Sequence, residues 1–241
     1  NQARFSGDFK YFLNTWSNYN TPFVFTIRDN QGKVLSTPIN NEKLKNKIAN
    51  YDWAKREAFT FTTSEGIQLD GWMMKPLNFN PAKRYPVVLF QYSGPGSQQV
   101  INSWNAGSMG QGGAFDAYLA QNDIIVVCVD GRGTGGREAA FEKATYLQLG
   151  KLEAKDQVET ALWLGKQSYV DKDKIGIWGW SFGGFNTLMS MSEGRKVFKA
   201  GVAVAAPTDW KFYDTIYTER YMRTPKENPD GYKDNPISRV K

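Results

Sequence analysis

Apolar positions change their period several times along this chain, and the changes divide it into elements. Between residues 9 and 35 they fall into three short runs, 9–13, 22–27 and 33–35, separated by turn-forming residues at 18–22 and 29–32. That pattern predicts three short antiparallel strands. Residues 40–50 carry Lys43, Lys45 and Lys47 and read as a solvated helix or linker. Phe59, Phe61, Ile67, Leu69 and Trp72 then alternate around a turn at 63–66, which predicts a hairpin. Beyond it, wholly apolar runs at 85–90, 124–129 and 200–205 alternate with helical patterns at 115–121, 156–166 and 186–191. Runs apolar throughout suit strands covered on both faces, so 124–129 is expected to be central and 200–205 buried. The alternation predicts an α/β fold, a parallel sheet with helices on both faces. Three short strands are marginal alone, so the N-terminal ones are expected to close a repeated β array such as a propeller. The expected units are 1–45, the end of that array, and 46–241, the α/β domain.

Within this frame one stretch concentrates the chemistry. Ile175 and Ile177 alternate like a strand into Gly179, Trp180, Ser181, Phe182 and Gly183, and a helical run follows. Gly-x-Ser-x-Gly between strand and helix is the pattern of a nucleophile elbow, where a strained serine needs small neighbours. Ser181 is then the candidate nucleophile, with the N–H of Phe182 aimed at a developing oxyanion. The plainer alternative is a Gly-rich turn in which Ser181 caps the helix.

Composition narrows the partners. Lysine and arginine outnumber acids 30 to 24, but the basic residues are scattered, so no nucleic-acid footprint is expected. There is no run of 18 apolar residues and no cleavable signal pattern. The one cysteine, Cys128, sits in an apolar run and is expected to be buried and inert. No carboxylate or His/Cys set has metal-ligand spacing, so neither metal nor cofactor is expected. Residues 131–136 spell G-x-G-x-x-G after a strand, yet the helix that should follow is weak. A flexible loop at the rim of a hydrolase pocket fits better than a dinucleotide turn. Asp171 and Asp173 are expected in a solvated turn before the elbow strand. The count that matters most is histidine: there is none. The usual base for a serine nucleophile is absent from these residues.

After 200–205 come Trp210, Phe212, Tyr213, Tyr217 and Tyr221, five aromatics within twelve residues. Phe212, Ile216, Glu219 and Arg220 have helical spacing and could mark a packed face. Tyr213 and Tyr217, four apart, could line a pocket.

Four segments together resemble the prolyl oligopeptidase family, in particular its dipeptidyl peptidase IV branch. They are Tyr92-Ser93-Gly94-Pro95, residues 130–135, residues 179–184, and residues 213–222 with their Tyr-Thr-Glu-Arg-Tyr-Met run. Trp180 beside the serine belongs to that branch too. The resemblance covers residues 50–241 and implies an α/β-hydrolase fold preceded by the last strands of a β-propeller. It implies a serine exopeptidase that removes dipeptides whose second residue is proline or, less well, alanine. Ser181 would attack, and the Tyr92 hydroxyl would join the Phe182 N–H on the oxyanion. Trp210, Tyr213 and Tyr217 would wall the proline pocket. Aromatic walls suit a rigid apolar ring without an N–H. Phe182 replaces the family's usual tyrosine, where the backbone does the work. A related tripeptidyl peptidase is the alternative, and Asp214, where that relative carries glutamate, favours the dipeptidyl type. The acidic pair that grips the substrate amine lies in the family's propeller, upstream of these residues. Members act outside the cytoplasm, periplasmic or at the cell surface, and commonly dimerise through segments outside these residues.

The triad order in such folds is Ser, Asp, His. Sixty residues follow Ser181. They include Asp209 and Asp214 but no base to join them, so the expectation is an internal fragment of a longer enzyme without normal turnover. A non-catalytic α/β-hydrolase-like binding module and a nucleotide-dependent enzyme using 131–136 remain as other readings.

Overall fold

The computed structural model describes residues 2–104, 106–108 and 113–239. It begins with an antiparallel meander of β1 (Gln2–Phe5), β2 (Tyr11–Asn18), β3 (Thr21–Asp29) and β4 (Val34–Ile39), ordered β1-β2-β3-β4. Four strands replace the three expected. β1 is exposed along its whole length and so leaves no alternation in the sequence. Phe9 is in a turn with φ 56°, not in a strand. There Asp8 Oδ1 accepts from the hydroxyl of Ser6 and the N–H of Lys10. α1 (Glu42–Ala49) follows, with no buried residue, as the lysines at 43, 45 and 47 suggest.

The second sheet has six strands, taken in chain order with their helices. The hairpin β5 (Arg56–Thr62) and β6 (Gln68–Met74) leads to β7 (Tyr85–Phe90), α2 (Ala114–Gln121) and β8 (Ile125–Asp130). Then come α3 (Ala139–Glu142), α4 (Lys151–Leu164), β9 (Val170–Trp180), α5 (Phe182–Met191) and β10 (Ala200–Val204). α6 (Thr215–Met222), α7 (Pro229–Lys233) and α8 (Pro236–Arg239) complete the described chain. The order is β10-β9-β7-β8-β6-β5. β7 pairs in parallel with β8 and β9, β9 in parallel with β10, and the hairpin joins antiparallel through β6 and β8.

β8 shows why the sheet is buried on both sides. Ile125, Val127 and Val129 face a core shared with Val158, Ala161 and Leu164 of α4. Val126 and Cys128 point the other way, against Ala117 and Ala120 of α2. Every residue of β8 is buried, and burial holds the Cys128 thiol well above the usual range. This is the α/β-hydrolase arrangement, with the end of a propeller-like β array before it.

Three expectations fail here. β10 is an exposed edge, with Val202 58% exposed, because its only partner among the described residues is β9. Asp171 and Asp173 lie within β9, which starts at Val170; Asp171 pairs with Lys174 at 3.2 Å. α4 begins at Lys151, ahead of the predicted 156, because its first turns bury the polar Glu153, Asp156 and Gln157, which give no apolar period. No helix among the described residues is long and apolar enough to cross a membrane.

Candidate active site

Ser181 stands between the end of β9 and the start of α5, with φ 56° and ψ −116°. An L-residue there is strained by about 1–3 kcal/mol. The conformation is held by its own peptide: Ser181 N–H donates to Val204 O at 2.8 Å and its carbonyl accepts from Phe185 N–H at 3.0 Å. The hydroxyl makes no capping bond to α5, which removes the helix-cap alternative. The flanking glycines are required by space. A Cβ at Gly179 would stand 2.5 Å from both Gln91 O and the carbonyl carbon of Gly183, and one at Gly183 would collide with Gln91 O. At Gly184 it would meet Val204 O at 2.7 Å. Phe182 opens α5, so its N–H has no intrahelical acceptor and lies at the positive end of the helix. Its ring is buried against Phe185 and Trp210, with centroids 5.4 and 5.5 Å away.

Tyr92 leaves the end of β7 on a tight loop in which Ser93 and Gly94 are both left-handed, φ 61° and 77°. A Cβ at Gly94 would sit 2.6 Å from the Phe182 ring, so this loop and the elbow interlock. Beneath Tyr92 runs a buried polar network of Gln91, Ser93, Gln157, Asn186 and Thr187 that sequence reasoning missed. Scattered amides on three separate elements leave no periodic signal.

The aromatic segment forms a 3-10 turn, Trp210–Phe212, and then α6. Asp209 accepts from Lys211 N–H at 3.0 Å and Asp214 from Tyr217 N–H at 2.8 Å, so both carboxylates act as caps. Trp210, Tyr213 and Tyr217 stand 5.6–5.9 Å apart as a three-ring cluster. Burial pushes the Tyr217 hydroxyl well above the usual phenol range, so it stays protonated. The face suggested by helical spacing is the wrong one: Phe212 and Ile216 are 86% and 78% exposed. The packed side carries Trp210, Tyr217, Tyr221 and Met222 instead.

A cleft of about 30 Å³ is lined by Tyr92, Ser181, Phe182, Trp210, Tyr213 and Tyr217, with Pro207 added. All six residues singled out from the sequence meet there, brought from three separate segments of the chain. A strained serine beside helix-terminal N–H groups, a phenol and an apolar wall can carry out acyl transfer once a base is supplied.

The glycine-rich residues 131–136 are anchored rather than free. Asp130 accepts from the N–H groups of Gln99 and Val100 at 2.8 and 2.7 Å, and burial raises its carboxyl to about 6. Arg132 binds Asp156 at 2.6 Å and Glu65 at 3.0 Å. Gly135 N–H donates to Ser97 O at 2.8 Å, which ties the segment to the Tyr92 loop. The next helix, α3, starts only at Ala139 and spans one turn, so no helix N-terminus meets this loop as a dinucleotide site needs.

The profile of the Prolyl oligopeptidase family matches residues 114–241. A protein of Coccidioides posadasii named Probable dipeptidyl-aminopeptidase B is 45% identical over 221 residues, covering 86% of this chain and 23% of that protein. Its namesake in Botryotinia fuckeliana is 41% identical, covering 99% of this chain and 26% of that one. The crystal structure of dipeptidyl peptidase 4 from Porphyromonas gingivalis superposes with a TM-score of 0.90 at 44% identity, over 98% of this chain and 33% of that chain. The chain thus spans about a quarter of these curated relatives and a third of the solved chain. By sequence profile, relatives and fold alike, the chain belongs to the prolyl oligopeptidase family.

Proposed function

We propose that these residues form the nucleophile-bearing part of a serine exopeptidase that releases N-terminal Xaa-Pro, and less readily Xaa-Ala, dipeptides. The observation that carries the reading is Ser181: an uncapped hydroxyl at a strained elbow, on the same cleft as Tyr92 and three aromatic rings. In this mechanism Ser181 Oγ attacks the carbonyl carbon of the substrate's second residue. The Phe182 N–H and the Tyr92 hydroxyl receive the negative charge on its oxygen. The tetrahedral intermediate then expels the amine, which takes the serine's proton by way of the base, and leaves an acyl-enzyme that water hydrolyses. A phenol hydroxyl is a hydrogen-bond donor, which is what the oxyanion requires. Trp210, Tyr213 and Tyr217 hold the proline ring, which asks for no hydrogen bond from them. With no histidine in the 241 residues, the base and the carboxylate that orients it belong in this reading to polypeptide outside them.

The test uses the product of the complete reading frame on an Xaa-Pro p-nitroanilide, an N-acetylated copy and a longer peptide with proline second. The free-amine substrate is cleaved, the blocked one is not, and the longer peptide loses a dipeptide by mass. Ser181→Ala lowers kcat by at least about 10⁴-fold. Tripeptide release would move the assignment to the tripeptidyl type. Cleavage unchanged in Ser181→Ala would end the serine peptidase reading.

A further inference from the structure

The segment that carries Tyr92 is fixed through one buried hydroxyl, that of Ser93. Ser93 is 1% exposed and takes φ 61° directly after Tyr92. Its Oγ donates to Gln91 Oε1 at 2.9 Å and accepts from Asn186 Nδ2 at 3.1 Å and Gln157 Nε2 at 3.4 Å. A hydroxyl has one proton and two lone pairs, so its capacity is fully used. Gln91 in turn donates to Gly183 O at 2.6 Å and Thr187 Oγ1 at 3.1 Å. Both neighbours of Tyr92 are therefore bonded to α5, the helix that follows Ser181, and through Gln157 to α4. Ser97 Oγ closes the loop from its far end, donating to Ser93 O at 2.6 Å.

None of the network residues lines the cleft. A glycine would take the left-handed conformation at Ser93 without steric cost, and the chain uses one at the very next position. A serine there trades backbone comfort for a hydroxyl. Tyr92 is the only residue of this loop in the cleft, and its Cα lies where a Cβ on Gly183 would meet it at 3.1 Å. A loop that close to the elbow has little freedom to shift without moving the phenol.

We infer that Ser93 is a positioning residue: its hydroxyl fixes Tyr92 against Ser181 and so sets how well the phenol meets the oxyanion. The inference rests on the serine peptidase reading above. It is distinct from a general stabilising role because the loss it predicts is conditional on Tyr92.

The test is a double-mutant cycle on the product of the complete reading frame, with kcat and KM measured on an Xaa-Pro p-nitroanilide. Tyr92→Phe is expected to lower kcat by about 10²–10³-fold, as loss of an oxyanion donor does. Ser93→Ala is expected to lower kcat about tenfold with KM within about twofold, because it misplaces a donor that acts in the transition state. In the Tyr92→Phe background the same substitution is expected to cost less than about twofold. Asn186 Nδ2 keeps Gln91 Oε1, and Gln157 Nε2 keeps Val129 O at 3.1 Å, so Ser93→Ala leaves neither amide without an acceptor. Far-UV circular dichroism and thermal unfolding check the fold. Ser93→Gly removes the hydroxyl while relaxing the backbone, and is expected to show the same conditional loss. Losses that multiply independently, or a wild-type kcat in a folded Ser93→Ala or Ser93→Gly, would overturn the inference. Ser181→Ala is run alongside: wild-type turnover there would remove the peptidase reading and this inference with it, whereas a dead Ser181→Ala with independent losses removes the inference alone.

Discussion

At Gly183 the elbow has no room for a methyl group, since Gln91 O fills the place. Gly183→Ala is expected to destabilise the fold by about 1–3 kcal/mol, read as a lower urea midpoint. Ser181 presents the opposite case, a side chain held at φ 56° where glycine is at ease. Ser181→Gly should therefore stabilise by about 1 kcal/mol while removing the proposed nucleophile, and thermal unfolding reads it directly. Glu153 adds a pH dependence. It is fully buried, with one oxygen on Gly150 N–H at 2.9 Å, and burial raises its carboxyl from 4.5 to about 8. The folded state thus binds this proton more tightly than the unfolded chain does. The stabilisation is complete below about 4.5 and is lost as pH rises through about 8. Asp130 and Asp156 are raised as well, chiefly by burial, and act with the same sign. Glu153→Gln should flatten the fall in unfolding free energy across that window, and an unchanged slope would place the effect elsewhere. Residues such as Glu153, Gln91 and Asn186 were illegible in the sequence because nothing about an isolated polar residue says that it is buried. Ser181 was legible because steric need writes glycines around it.

At the scale of elements, α6 is the informative case. Its apolar residues are spread around the helix, so spacing alone could not say which face packs. The structure turns Ile216, with Phe212 of the preceding 3-10 turn, to solvent, and Tyr217 and Met222, with Trp210 of that turn, inward. Ile216→Ala should change stability by less than about 0.5 kcal/mol, whereas Trp210→Ala should cost about 3–5 kcal/mol. Chemical denaturation of the two variants separates the faces. β10 teaches a related lesson. Its run of small apolar residues reads like that of a central strand, but position in a sheet is a property of topology, which local sequence does not encode. With its outer edge unpaired among the described residues and Val202 exposed, β10 is a template for pairing with another chain. Val202→Lys should reduce self-association of the 241-residue chain in sedimentation velocity, and an unchanged association would acquit this edge.

Across the whole molecule, the fold class, the hairpin, the central β7 and β8 and the elbow could all be read in advance, because each leaves its own period or steric mark. The candidate cleft was legible for a different reason: its six residues sit in motifs that follow strands, and parallel topology carries the ends of those strands to one edge of the sheet. The propeller-like sheet is joined to this edge side by polar contacts, with Ser17 and Ser103 hydroxyls 3.3 Å apart and Tyr19 N–H on Asn102 Oδ1 at 2.9 Å. The central claim is that Ser181 is the acylated nucleophile of a dipeptide-releasing peptidase. The most direct measurement treats the product of the complete reading frame with a diphenyl phosphonate built on an Xaa-Pro dipeptide, followed by peptide mapping by mass spectrometry. The account predicts one covalent adduct, on Ser181, formed in step with loss of turnover. An adduct on another residue, or full inactivation with Ser181 unmodified, would contradict it.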